Sequence, residues 1–379
     1  MPLYFLGALG AGGLAISFFM YLMFMTNHAE VPIPTFDTLL PYLTEMGIPV
    51  ALGVGAAMLG VIVMSVIHLS FLKWNIIEFL KFKKTEDYTA LRNSNAEVTL
   101  MAIPLTLAMT MNVFFVLVVL FVPGFYSIIE YIFPAAIVGF FIIGAYAINI
   151  FGEYITRLLD KGDFNFDANN SLAQMLSIFA FTMVGVGLAG PAAMSHTEAT
   201  AVIALLGSIF FISISVLLLV IKMILGFKSM FRHGLDRAAA PSMWIIIPIL
   251  TLIGISLVRQ THGFAHNLDI AIEPGSYFIL TAIIISIQIF FGYLGYKIMT
   301  VNNYFQDFIH GEEKSPGSYA LICPGVAFFV FSFFFLHLGL VKTGIVDMFS
   351  IVYFVILLPL MYIQYKTIAT MLKLNKKLV

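Results

Sequence analysis

Ten stretches of this chain are each long and apolar enough to cross a lipid bilayer, and that number constrains the fold more than any other feature. A helix needs ~20 apolar residues to span the hydrocarbon core. The stretches run over roughly 2–25, 47–72, 99–122, 125–151, 171–193, 198–225, 242–258, 275–299, 317–341 and 345–371. Composition agrees, with 61% hydrophobic and 10% charged residues, where a soluble domain carries about 25% charged ones. The expected fold class is all-α: one polytopic membrane domain over 1–379, built as five helical hairpins around a central pore. The first stretch is too long for the apolar core of a signal peptide and is expected to be mature structure.

Charge sets the expected orientation. Ten spans put both termini on one side, and that side collects seventeen of the 19 Lys and Arg residues, from Lys73 to Lys377. The other side has only Arg259 and Lys342. By the positive-inside rule both termini are cytoplasmic. No basic run reads as a nucleic-acid surface.

Odd-numbered stretches carry helix breakers in their interior: Gly7, Gly10, Gly12 and Gly13 in the first, Pro104 in the third, Gly185, Gly187 and Gly190 in the fifth, Pro248 in the seventh. Even stretches are smoother, Pro134 aside. Irregular helices belong around a cavity, regular ones against lipid; Gly also packs membrane helices closely without any pore. The ninth stretch adds Cys323-Pro324-Gly325. Proline lacks an N–H and clashes with the carbonyl four residues back, so a kink or unwound turn is expected there. The one cysteine of the chain sits at that break. It reads either as a small apolar packing residue or as a thiol at a pore constriction.

No Asp or Glu falls at the centre of a span, whereas proton-driven carriers use central carboxylate relays. An anion path lined by hydroxyls and helix ends, without fixed positive charge, is expected instead; Thr106, Thr110, Asn112, Thr182 and Thr251 are its polar candidates, unless their side chains bond back to the preceding turn. His28, His196, His262, His266 and His337 fall on the outer side near Met20, Met23, Met25 and Met194. Imidazole with thioether suits copper or haem iron, so His337, His196, His262 and His266, together with Cys323, are candidate metal ligands if the chain is instead a haem- or copper-binding membrane protein with a redox role. The alternative is that they are surface residues on a Met-rich chain, with no cofactor. No nucleotide-binding loop, paired-carboxylate site, catalytic triad or CxxC motif is present, so no enzyme signature stands out.

Three stretches carry a resemblance. Glu97-Val98-Thr99-Leu100-Met101-Ala102-Ile103-Pro104-Leu105-Thr106, Phe181-Thr182 followed by small residues up to Gly190, and Tyr319-Ala320 through Cys323-Pro324 are similar to the third, fifth and ninth helices of the tellurite-resistance/dicarboxylate transporter family, which includes the plant slow-type anion channels. The ninth stretch also looks like that of a TsoY-like bacterial branch carrying Cys or selenocysteine at this point. The resemblance implies ten spans with the odd helices ringing a pore, small inorganic or carboxylate anions as cargo, a homotrimer, and a bacterial inner membrane. It implies that Phe181 narrows the pore on the fifth helix. The family's occluding phenylalanine aligns with Cys323, which leaves Phe328, about a turn and a half further on, to stand in as the plug. The resulting pore and gate residues are Cys323, Pro324, Gly325, Phe181, Phe328, Pro104, Thr106 and Pro248.

Overall fold

The computed structural model describes residues 1–29, 31–166, 169–267 and 273–379, with the side chains of 266, 267 and 274 left aside. Among the described residues there is no strand, and 84% of the structure is helical. Ten helices among the described residues are long and apolar enough to span a membrane: α1 Pro2–Met25, α2 Ile48–Phe82, α3 Asn95–Phe121, α4 Phe125–Lys161, α5 Ala173–Met194, α6 Glu198–His233, α7 Ala240–Ala265, α8 Gly275–Val301, α9 Pro316–Val341 and α10 Ile351–Leu378. The chain is a membrane-embedded, all-α polytopic protein. Three even helices exceed the expected stretches by eight to ten residues at the end of the bundle that holds both termini, here called the terminal end. At 1.5 Å per residue α2 is about 52 Å long, more than a ~30 Å hydrocarbon core requires.

Burial sorts the helices into two rings. The apolar windows of α1, α3, α5, α7 and α9 are 61–100% buried, those of the even helices only 28–39%. The odd helices touch in closed cyclic order, α1 to α3, α3 to α5, α5 to α7, α7 to α9 and α9 back to α1, and each packs against the even helix that follows it. One core cluster draws on all ten helices. The glycines of α1 permit the closure. A Cβ on Gly7, Gly10 or Gly13 would stand 3.0, 2.7 and 2.9 Å from Tyr319, Ile322 and Val326 of α9, so side chains at this stripe would drive the two helices apart.

Each odd helix opens at the terminal end with a 3₁₀ turn: Pro2–Tyr4, Asn95–Met101, Ala173–Met175, Ala240–Trp244 and Pro316–Leu321. The α-helical parts then begin at Phe5, Ala102, Leu176, Ile246 and Ile322. Pro104, Pro248 and Pro324 therefore occupy one equivalent place, the third residue of the α-helical part. First-turn N–H groups make no intrahelical α bond, so proline's missing donor costs little there. This corrects the expected break at Pro324-Gly325: α9 changes from 3₁₀ to α just before Cys323 and runs on without interruption to Phe334. Its irregular part lies at the other end, the π-helical turn Phe335–Val341. The 3₁₀ leaders pack on one another, the first on the second and the last, the second on the third, the fourth on the last.

An ion-pair network fixes the α3 leader. Glu97, 1% exposed, takes Arg157 Nε on Oε2 at 2.8 Å and Arg92 Nη1 on Oε1 at 3.2 Å. Arg157 also donates to the Ser94 carbonyl at 2.9 Å and pairs with Asp163. Arg92 reaches Glu153 at 2.8 Å, and Gln174 of the α5 leader donates to the Asn95 carbonyl at 2.9 Å. The network thus ties two leaders to the end of α4.

Candidate functional site

The five odd helices enclose a cavity of about 360 Å³. Its wall on α9 is the stripe Cys323, Val326, Ala327, Val330, Phe334 and Leu338, on α7 the residues from Pro248 to His262, and on α1 those from Leu9 to Phe24. Each wall covers 15 or 16 residues, about 21–23 Å of helix from first to last. Phe133 and Ala136 of α4 and Pro32 and Ile33 of the loop after α1 complete it near the far end. None of the 3₁₀ leaders borders it; the terminal third of the ring is filled by close-packed helix starts.

The wall is apolar except at a few points. Thr251 borders the cavity, but its hydroxyl donates to the Ala327 carbonyl at 3.0 Å and accepts from Gln288 of α8 at 2.8 Å. Asn112 donates to the Ala108 carbonyl at 3.0 Å. Cys323 is a free thiol at the deep end, 8% exposed. Near the far end stands Arg259. Its Nη1 donates to the Val186 carbonyl at 3.1 Å, and a guanidinium has five N–H donors in all. Among the described residues no carboxylate borders the cavity and none acts on Arg259.

A histidine and a second cation lie nearby. His262, one turn on, borders the same cavity. Its ring is 5.4 Å from that of Tyr277, and Lys342 Nζ lies 5.4 Å from the same Tyr277 ring. His262 feels the charges of both Lys342 and Arg259. Of the two Lys and Arg residues on the far side, Arg259 thus borders the cavity, and Lys342 lies off its wall on the Tyr277 ring. A charge held inside a membrane bundle and facing a cavity marks an ion or substrate pathway. A seventh stretch ending at 258 leaves Arg259 beyond the span and the path without fixed positive charge; α7 instead continues to Ala265 and brings Arg259 to the cavity wall. The legible signal was its scarcity, one of two cations on its side, three residues from a histidine.

Of the expected pore and gate residues, Cys323 and Pro248 border the cavity. Phe181 does not: its ring packs on Phe151 of α4 and Phe211 of α6, at 5.5 and 6.2 Å, and Phe179 faces the cavity in its place. Two residues along a helix are about 200° apart, so both cannot face inward. Gly325 points at α10, where a Cβ would collide with Thr367. Pro324, Phe328 and Pro104 lie off the cavity wall. So does Thr106, whose hydroxyl donates to the Ala102 and Phe5 carbonyls at 2.8 and 3.1 Å. Thr182 bonds back to the Ile178 and Phe179 carbonyls, and Thr110 to that of Thr106.

The candidate metal ligands are not brought together. His337 has both ring nitrogens engaged, Nδ1 with the Phe333 carbonyl at 2.8 Å and Nε2 with the Tyr353 hydroxyl at 2.9 Å, and it stacks on Phe24 at 4.6 Å. It is built into the α9–α10 contact. His196 lies in the loop after α5, its backbone N–H donating to Glu130 at 2.8 Å. The side chain of His266 lies outside the described residues. Among the described residues no three His, Cys, Asp or Glu side chains gather as a metal site. His68 of α2 is fully buried between Ala8 O at 2.7 Å and Thr110 Oγ1 at 2.9 Å, joining α2 to α1 and α3.

Ten apolar helices suggest a membrane transporter or channel. No protein-family model matches the chain, and a search of curated proteins finds no match.

Proposed function

We propose that this chain is an anion channel or transporter of the kind the tellurite-resistance/dicarboxylate transporters represent, with its path between the odd-numbered helices. The observation that carries the reading is Arg259, a guanidinium facing a mostly apolar cavity with no carboxylate on its wall among the described residues. Such a cation attracts anions and repels cations, and low-dielectric walls focus its field. With the basic loops placed in the cytoplasm, the Arg259 end faces outward and receives anions from that side. The leaders at the terminal end form the barrier, and passage requires them to separate. Small inorganic or carboxylate anions are the cargo, and on the resemblance the assembly is a homotrimer in a bacterial inner membrane.

The deep end of the cavity supplies the test. Cys323→Phe puts a bulky ring into the deep end of the cavity, whereas Phe181 packs outside the path. In proteoliposomes, Cys323→Phe is expected to lower nitrate flux at least tenfold, while Phe181→Leu keeps the flux per folded molecule within about twofold of wild type. Equal flux through Cys323→Phe and the parent would remove Cys323, and the cavity with it, from the path.

A further inference from the structure

The cavity is built for more than a small ion. Its volume of about 360 Å³ equals the share of about twelve liquid waters and falls in the range of pockets that enclose small organic ligands. Its polarity is strongly one-sided. Arg259 and His262 border its far end, and Lys342 lies off the wall on the Tyr277 ring that His262 also meets. Along the α7 wall from Arg259 down to Pro248, about 16 Å of helix, the polar group on α7 is Thr251, whose proton is already given to Ala327. A hydrated inorganic ion moving into that region would lose water and find few partners. An apolar chain would gain by burial at the same place.

The geometry points to amphipathic organic monoanions as a substrate class: a carboxylate or sulfonate head held by the Arg259 fork, and an unbranched hydrocarbon tail running toward Phe179 and Cys323. A planar guanidinium fork pairs with two oxygens of such a head group at once, and one of its donors is already fixed by Val186, which pre-orients the rest. This rests on the proposed anion function for the direction of transport but not for binding.

The test is calorimetric titration of the full chain in phosphatidylcholine nanodiscs with methane-, butane- and hexanesulfonate, with hexanol as the uncharged control, alongside nitrate flux in proteoliposomes. Saturable binding is expected, with affinity rising about fourfold per added methylene. Arg259→Gln is expected to weaken hexanesulfonate at least tenfold and to leave the weak hexanol signal unchanged. Cys323→Phe, which shortens the cavity, is expected to weaken hexanesulfonate but not methanesulfonate. Absence of saturable hexanesulfonate binding, or an identical titration with Arg259→Gln in protein that retains the wild-type melting temperature, would overturn the inference. Nitrate flux with no sulfonate binding sinks this inference and leaves the anion pathway standing. Sulfonate binding without any anion flux supports the site and sinks the pathway.

Discussion

Arg259→Gln is expected to reduce anion flux by about 10- to 150-fold while leaving the protein folded. The magnitude follows from what the substitution removes. A hydrogen bond to a charged group contributes about 1.5–3 kcal/mol, and each 1.4 kcal/mol is a factor of ten. Folding is spared because Arg259 has no ion-pair partner to strand among the described residues; its one hydrogen bond among them goes to the Val186 carbonyl, and a glutamine amide can donate to the same atom. Arg259→Lys keeps the charge but not the fork, so it should recover flux in part. Initial rates of nitrate uptake at matched protein density, together with thermal stability of each variant, provide the check. Wild-type rates in the Gln variant would mean that anions do not pass the guanidinium.

The second large effect is on stability. Glu97→Ala is expected to destabilise the protein by about 3–5 kcal/mol, the usual cost of removing one partner from a buried ion pair. Glu97 is almost wholly buried and is shared by Arg92 and Arg157. Its loss would leave Arg157 with Asp163 and a carbonyl, and Arg92 with the more exposed Glu153. Equilibrium unfolding in mixed micelles would measure the change, and a cycle with Arg157→Ala would isolate the pair. Residues that share one network couple by about 0.5–3 kcal/mol, so the double variant should lose less than the sum of the single ones. Strict additivity would mean that the network does not hold the α3 leader.

The two-ring arrangement was legible because lipid leaves few choices: apolar length gave the ten spans, and the helix breakers pointed to the odd ones. The meaning of those breakers was not legible. Pro104, Pro248 and Pro324 read as kinks inside helices, yet they sit in first turns behind 3₁₀ leaders, where a missing N–H is harmless. Which face of an odd helix borders the cavity was also hidden. The α5 window is buried on every side, so no polar stripe separates Phe179 from Phe181. Hydropathy misled at the end of α7 for a related reason. Arg259, Gln260 and Thr261 look like a loop, but Arg259 donates to Val186, Gln260 to Ser208 at 2.8 Å and Thr261 to Val258 at 2.8 Å. Each of the three makes a hydrogen bond inside the bundle.

The most direct measurement is the reversal potential of purified wild-type protein in a planar bilayer under a tenfold potassium nitrate gradient. A path governed by the Arg259 cation should give a potential near the nitrate equilibrium value, about 59 mV for a tenfold gradient of a monovalent ion, with the sign set by the anion. A potential of opposite sign, near the potassium value, would contradict it.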